Sequence, residues 1–488
     1  MRGIRAKELA VLVLIFVAGF SLRMAFTARS RYLVNGIDGP YYVSQIDYLV
    51  ETGEMLHKDS PLTFYYLWLW RILLGDTVKG IKVGMSLVTA LMCVPAFFLA
   101  RSVTKSSLAG YFTATVAVLN PYLFSMTYNL YKNELGILLL FAYFALFLHF
   151  VEDPARRRWL IAPLGAMLVV IWTTHIMAAG MSVLFTAAYL AFLLLADREL
   201  AKRVLRLVAA VGAVVAVVLV VSALIFPASF YKVYKLKFLT DLLEDESDAP
   251  KFAPSRQGGT AMGFLLFNLD PARWFGFPAI VAVGYLAYSL CKGRRMTLAV
   301  FVLSSYISWL LFINPLISRE LVWRFTLASF FPLSIAIGYG LWVIYRRLPS
   351  LLVIPIVALV LGLSATEAVA AAARAKPTIT EERYMELVRM RPHVPEHCAI
   401  AGGAGESYWF EVVLRKKLVR GHYVEEDFEG DPILLIVDKE KENPWWFHGP
   451  PRPGGHPPPL PEKIRRRATV IFDGRFYTAY LVPPRPHR

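Results

Sequence analysis

Apolar runs of roughly twenty residues, divided by short polar stretches, fill the chain from Leu9 to about Ala370. A bilayer core of about 30 Å takes roughly twenty apolar residues per helix, so this pattern predicts about eleven membrane-spanning helices. The candidate spans are 9–27, 80–100, 107–125, 135–151, 159–174, 180–196, 206–229, 274–291, 297–313, 322–343 and 350–370. Met1–Phe26 has a basic start and an apolar run but no small-x-small cleavage site, so it is expected to stay as the first span. Leu62–Leu74, with Trp68 and Trp70, predicts an amphipathic helix lying in the membrane interface. No internal repeat is visible, and the inverted repeats of many secondary transporters find no support.

From Arg374 onward the pattern becomes polar and proline-rich. Glu381–Arg391 and Tyr408–Val419 read as helices; Cys398–Gly402, Pro432–Val437 and Ala468–Val482 read as strands. The expected organisation is therefore an α-helical polytopic membrane domain over 1–371 and a soluble α/β domain over 372–488.

Charge supplies the orientation. Every second connection is basic: Arg2, Arg5 and Lys7; Arg101 and Lys105; Arg156, Arg157 and Arg158; Arg198, Lys202, Arg203 and Arg206; Lys292, Arg294 and Arg295; Arg346 and Arg347. By the positive-inside rule these face the cytoplasm, so the N-terminus is inside and the C-terminal domain is extracytoplasmic, as in a multi-pass protein of the plasma membrane. The outer connections are then 28–79, 126–134, 173–179, 230–273 and 314–321. The chain is 57% hydrophobic and 18% charged, with a net charge of +16. A soluble chain so basic points to nucleic acid; here the cations sit in loops between spans, and no nucleic-acid partner is expected. The three cysteines form no pairing framework.

The expected outer face gathers polar residues. Asp38 stands in Asn35-Gly36-Ile37-Asp38-Gly39-Pro40-Tyr41-Tyr42, where a helix begins. It either caps that helix or takes a proton from a hydroxyl. Glu134, at the start of the fourth span, either complements the helix dipole or faces the same cavity as Asp38. His175 ends the fifth span as an interfacial residue or, with Asp38 and Glu134, as a candidate ligand of a divalent cation such as Mg²⁺ or Mn²⁺. Arg319 and Arg324 open a late span beside Glu320, placed to snorkel to headgroups or to meet a phosphate. Span interiors hold almost no ionisable residues besides His149 and Arg23, which argues against a transporter or flippase.

These residues carry a resemblance. The first span, the long outer loop with Asp38-Gly39-Pro40-Tyr41-Tyr42, the helix ending near Gly53, and Lys58-Asp59-Ser60-Pro61-Leu62 before an aromatic stretch resemble the integral-membrane glycosyltransferases of the GT-C fold. The segment is similar to the polyprenyl-phosphate-sugar branch, which includes protein O-mannosyltransferases and lipid A aminoarabinose transferases. That branch carries an Asp-Glu pair in this loop; here Gly39 stands in the second place. The resemblance implies a membrane enzyme that moves a sugar from a polyprenyl-phosphate donor to a protein, glycan or lipid acceptor. It implies that Asp38 is the acceptor's base, Glu134 the second outer-loop acid and Arg324 a contact of the lipid phosphate. Arg319, His175, Tyr41 and Tyr42 would join the substrate site. A second branch, the single-subunit oligosaccharyltransferase of N-glycosylation, is resembled at Trp445-Trp446-Phe447-His448-Gly449, where three of its five motif positions agree.

Overall fold

The computed structural model describes residues 5–57, 59–126, 130–225, 284–285, 300–304, 307–308, 327–328, 330–402, 406–418, 432–440 and 465–484. Two compact units emerge. One takes Met1–Phe26, His57–Trp70 and Lys82–Ala375; the other takes Thr27–Leu56, Arg71–Ile81 and Lys376–Arg488. The expected spans 274–291 and 297–313 fall almost wholly outside the described residues, as does the start of 322–343.

In order, the helices through the first unit and its connections are α1 (Ala6–Thr27), α2 (Gly39–Thr52), α3 (Leu62–Leu74), α4 (Thr77–Leu91), α5 (Cys93–Thr104), α6 (Ser107–Val118), α7 (Pro121–Met126), α8 (Tyr131–Glu152), α9 (Ile161–Thr174), α10 (Ile176–Ala196), α11 (Arg198–Ile225), α12 (Phe330–Arg347) and α13 (Ser350–Arg374). Among the described residues, five helices are long and apolar enough to cross a membrane: α1, α4 continued by α5, α8, α10 and α13.

Aromatic rings and small residues pack these helices. Phe141 and Phe144 of α8 meet Phe331 of α12 at ring-centroid distances of 4.6 and 5.4 Å, and Phe185 of α10 lies 4.2 Å from Phe144. A Cβ on Gly136 would come within 2.7 Å of Ala178, so the missing side chain lets α8 and α10 approach closely. Leu12 of α1 packs with Cys93, Phe97, Ala114 and Val118. The α3 helix forms as expected: Thr63, Phe64 and Leu67 are buried, while Tyr65, Leu69, Ile72 and Leu73 are exposed.

Two expected spans are corrected. The run 107–125 is not one helix: α6 stops at Val118 and α7 restarts at Pro121. Proline cannot donate to the preceding turn and its ring clashes there. Asn120 Oδ1 accepts from the Tyr122 N–H at 2.9 Å, and Ser364 of α13 donates to the Leu119 carbonyl at 2.9 Å. The helix expected from 206 begins instead at Arg198, so the basic cluster of Arg198, Lys202, Arg203 and Arg206 is itself helical. Asp197 accepts from the Leu200 N–H at 3.0 Å as a cap, and Arg and Lys are good helix formers.

The second unit combines α2 with α14 (Glu381–Met390), β1 (Ala399–Gly402), α15 (Ser407–Leu414), β2 (Ile433–Asp438), β3 (Thr469–Asp473) and β4 (Tyr477–Val482). The sheet order is β1-β2-β4-β3, with β1 and β2 parallel and the other pairs antiparallel. The stretch expected as strand over 468–482 is thus a hairpin, turned at Gly474–Phe476. Glu386 of α14 holds that turn by accepting the N–H groups of Arg475, Phe476 and Tyr477 at 2.8–3.0 Å. Trp409 of α15 is fully buried, and its indole N–H reaches Thr378 Oγ1 at 3.1 Å.

Candidate active site

Asp38 occupies the residue before α2, half-buried, with its carbonyl accepting from the Tyr42 N–H at 3.2 Å. Its side chain makes no cap hydrogen bond to the helix. Pro40 fixes the first turn, and Gly36 turns the chain with φ 81°. The Gly36 N–H bonds to the Lys376 carbonyl at 3.0 Å, which ties this loop to the segment before α14. A Cβ on Gly39 would stand 2.7 Å from Val34 Cγ2. Any larger residue at position 39 would require Val34 to shift.

Tyr41 and Tyr42 are buried. The Tyr41 ring lies 5.6 Å from Tyr42 and 5.3 Å from Tyr408 of α15, and its hydroxyl accepts from Gln45 Nε2 at 3.2 Å. These contacts brace the first turns of α2 directly behind Asp38.

Glu134, in the first unit, sits in the first turn of α8 with its side chain 0% exposed. Its Oε1 accepts from Arg23 Nη1 of α1 and, at 2.6 Å, from Thr89 Oγ1 of α4. Arg23 Nη1 also donates to Thr89. Two residues earlier, Lys132 pairs with Asp59, just ahead of α3, and lies 5.9 Å over the Phe64 ring. His175 caps α10: its Nδ1 accepts from the Met177 N–H at 3.2 Å. Its Cβ lies 3.8 Å from where a Cβ on Gly136 would be, so it packs beside the second turn of α8. The structure therefore brings Glu134 and His175 to one end of α8, while Asp38 belongs to the other compact unit.

Arg319 and Arg324, with Glu320 between them, lie outside the described residues. Among the described residues, no group of three or more His, Cys, Asp or Glu side chains is arranged to hold a metal ion. Sequence reasoning did not pair Arg23 with Glu134 or Asp59 with Lys132. The available signal was Arg23 itself, a cation inside an apolar run, which in a bilayer needs a partner.

No protein-family profile and no curated protein sequence matches the chain. Its fold is mostly helical, with several apolar helices and a small C-terminal sheet, and is ArnT-like. Among solved structures the chain is similar to ArnT from Cupriavidus metallidurans. The apo form matches with a TM-score of 0.61 at 14% identity, covering 98% of this chain and 100% of that one. The form bound to undecaprenyl phosphate matches with a TM-score of 0.59 at 14% identity, covering 98% of each chain.

Proposed function

We propose that this protein is a glycosyltransferase that moves a sugar from a polyprenyl-phosphate donor to an acceptor at the outer face of the plasma membrane. The observation that carries the reading is the likeness in fold over nearly the full chain to ArnT, which has been crystallised with undecaprenyl phosphate. Asp38 at the head of α2, half-buried and not engaged in capping that helix, supports it.

In this reading residues 1–371 form the membrane domain and 372–488 the extracytoplasmic one. The Asp38 carboxylate takes the proton of the acceptor's attacking group as that group bonds to the anomeric carbon. The bond from that carbon to the phosphate oxygen breaks, and polyprenyl phosphate leaves. One displacement inverts the configuration. Arg324, aided by Arg319, stabilises the negative charge on the departing phosphate. Tyr41 and Tyr42 hold the turn that presents Asp38.

The test is transfer by purified full-length protein in lipid discs, offered a panel of polyprenyl-phosphate sugars with released polyprenyl phosphate as the readout. Release that depends on an added acceptor supports the reading. A wild-type protein that binds such donors yet releases nothing with protein, glycan or lipid acceptors contradicts it.

A further inference from the structure

The first turn of α8 is tied by two ion pairs to the two ends of the segment that carries Asp38. That segment leaves the first unit after Phe26 and returns at His57. One turn before the exit, Arg23 of α1 reaches Glu134; just after the return, Asp59 reaches Lys132. All four side chains are largely shielded, with exposures of 1% for Arg23, 0% for Glu134, 3% for Asp59 and 16% for Lys132. Thr89 closes the first pair from α4, and Asp59 Oδ1 also accepts the Ser60 N–H at 2.8 Å, which fixes the lead into α3.

We infer that the Lys132-Asn133-Glu134 turn is a positioning device: it sets where the Asp38 segment departs and re-enters, and Glu134 acts through Arg23 instead of on substrate. Two observations carry this. Glu134 has no exposed surface from which to meet a sugar. The two ties run from one helical turn to opposite ends of a single segment, so they constrain its span rather than one point.

The inference rests on the proposed transferase reading, so the test includes a readout that does not need turnover. Hydrogen–deuterium exchange over residues 28–56 of the full chain in lipid discs measures the pinning directly. Glu134→Ala and Lys132→Ala are expected to raise exchange there through easier local opening. Both should lower kcat about 10²-fold, the effect of a misplaced reacting group, with little change in donor KM. Glu134→Gln should behave differently. Its amide oxygen takes the place of Oε1, so exchange stays near wild type, kcat falls by less than about 10²-fold, and the pH–rate profile keeps both limbs. The swap Asp59→Lys with Lys132→Asp should restore what Asp59→Lys alone loses, and it keeps the test decisive if an alanine variant does not fold. Wild-type exchange in both alanine variants, or no rescue by the swap, overturns the inference. So does a Glu134→Gln variant with normal exchange that has lost activity and one limb of the pH profile. Wild-type protein inactive with every donor would sink the transferase reading alone, while the exchange data would still judge the ties.

Discussion

Ser44 Oγ of α2 donates to Glu411 Oε2 of α15 at 3.1 Å, with both residues buried. The other oxygen of Glu411 accepts the Leu418 N–H at 3.2 Å. A single carboxylate thus joins the helix headed by Asp38 to the strap that follows α15. A hydrogen bond to a charged group contributes about 1.5–3 kcal/mol. Ser44→Ala should lower stability by that amount, seen as a reduced unfolding midpoint in detergent. An unchanged midpoint would remove this bond from the account of how α2 is held.

Asp47, on the same helix, gives a pH dependence. Burial raises its pKa above the ordinary aspartate range, against the lowering effects of the Thr77 hydroxyl, Arg71 and Arg415; Glu51 adds to the rise. The folded state therefore binds the Asp47 proton more tightly than the unfolded chain. This group's contribution favours folding at low pH and is lost as pH rises through its elevated folded-state value. Asp47→Asn should raise the unfolding midpoint at neutral pH and flatten its change between acid and neutral. A lower midpoint at neutral pH would show that the charged form is the stabilising one.

Close helix approach is testable at Gly338 of α12. A Cβ there would lie 2.8 Å from the Thr113 backbone on α6, whereas one on Gly180 of α10 would meet nothing within 4 Å. Gly338→Ala should destabilise by about 1–3 kcal/mol, the usual cost of overpacking. Gly180→Ala should be neutral or slightly stabilising, given the helix preference of alanine. Equal midpoints for the two variants would contradict the packing.

Orientation follows from the basic connections. Cysteines engineered at Arg156 and Arg198 should be protected from an impermeant reagent on intact cells, and cysteines placed in 372–488 should be labelled. The reverse pattern would place the proposed site on the wrong face of the membrane.

Much of this fold is written in the sequence, because a bilayer imposes a length on every apolar helix. α1, α8, α10 and α13 follow from apolar runs alone, and a short continuous apolar run locates β2. The break before Pro121 and the early start of α11 are less legible, since apolar content continues through the first and charge masks the helix in the second. The site is only half legible. Gly and Pro around Asp38 announce a turn before a helix. Nothing local announces that Glu134 meets Arg23 across 111 residues, or Lys132 meets Asp59 across 73. Those partners are set by which helices pack together, and spacing along the chain holds no record of that.

The central claim is that Asp38 serves transfer from a polyprenyl-phosphate sugar. Its most direct test compares wild type with Asp38→Asn in a single-turnover assay, using radiolabelled donor and following both donor binding and sugar transfer. Asn keeps the size and shape of the side chain while removing the carboxylate that would take the proton. The account predicts donor binding close to wild type and transfer slowed by about 10²–10⁴-fold, as for loss of a general base. An Asp38→Asn protein that transfers sugar at the wild-type rate would contradict it.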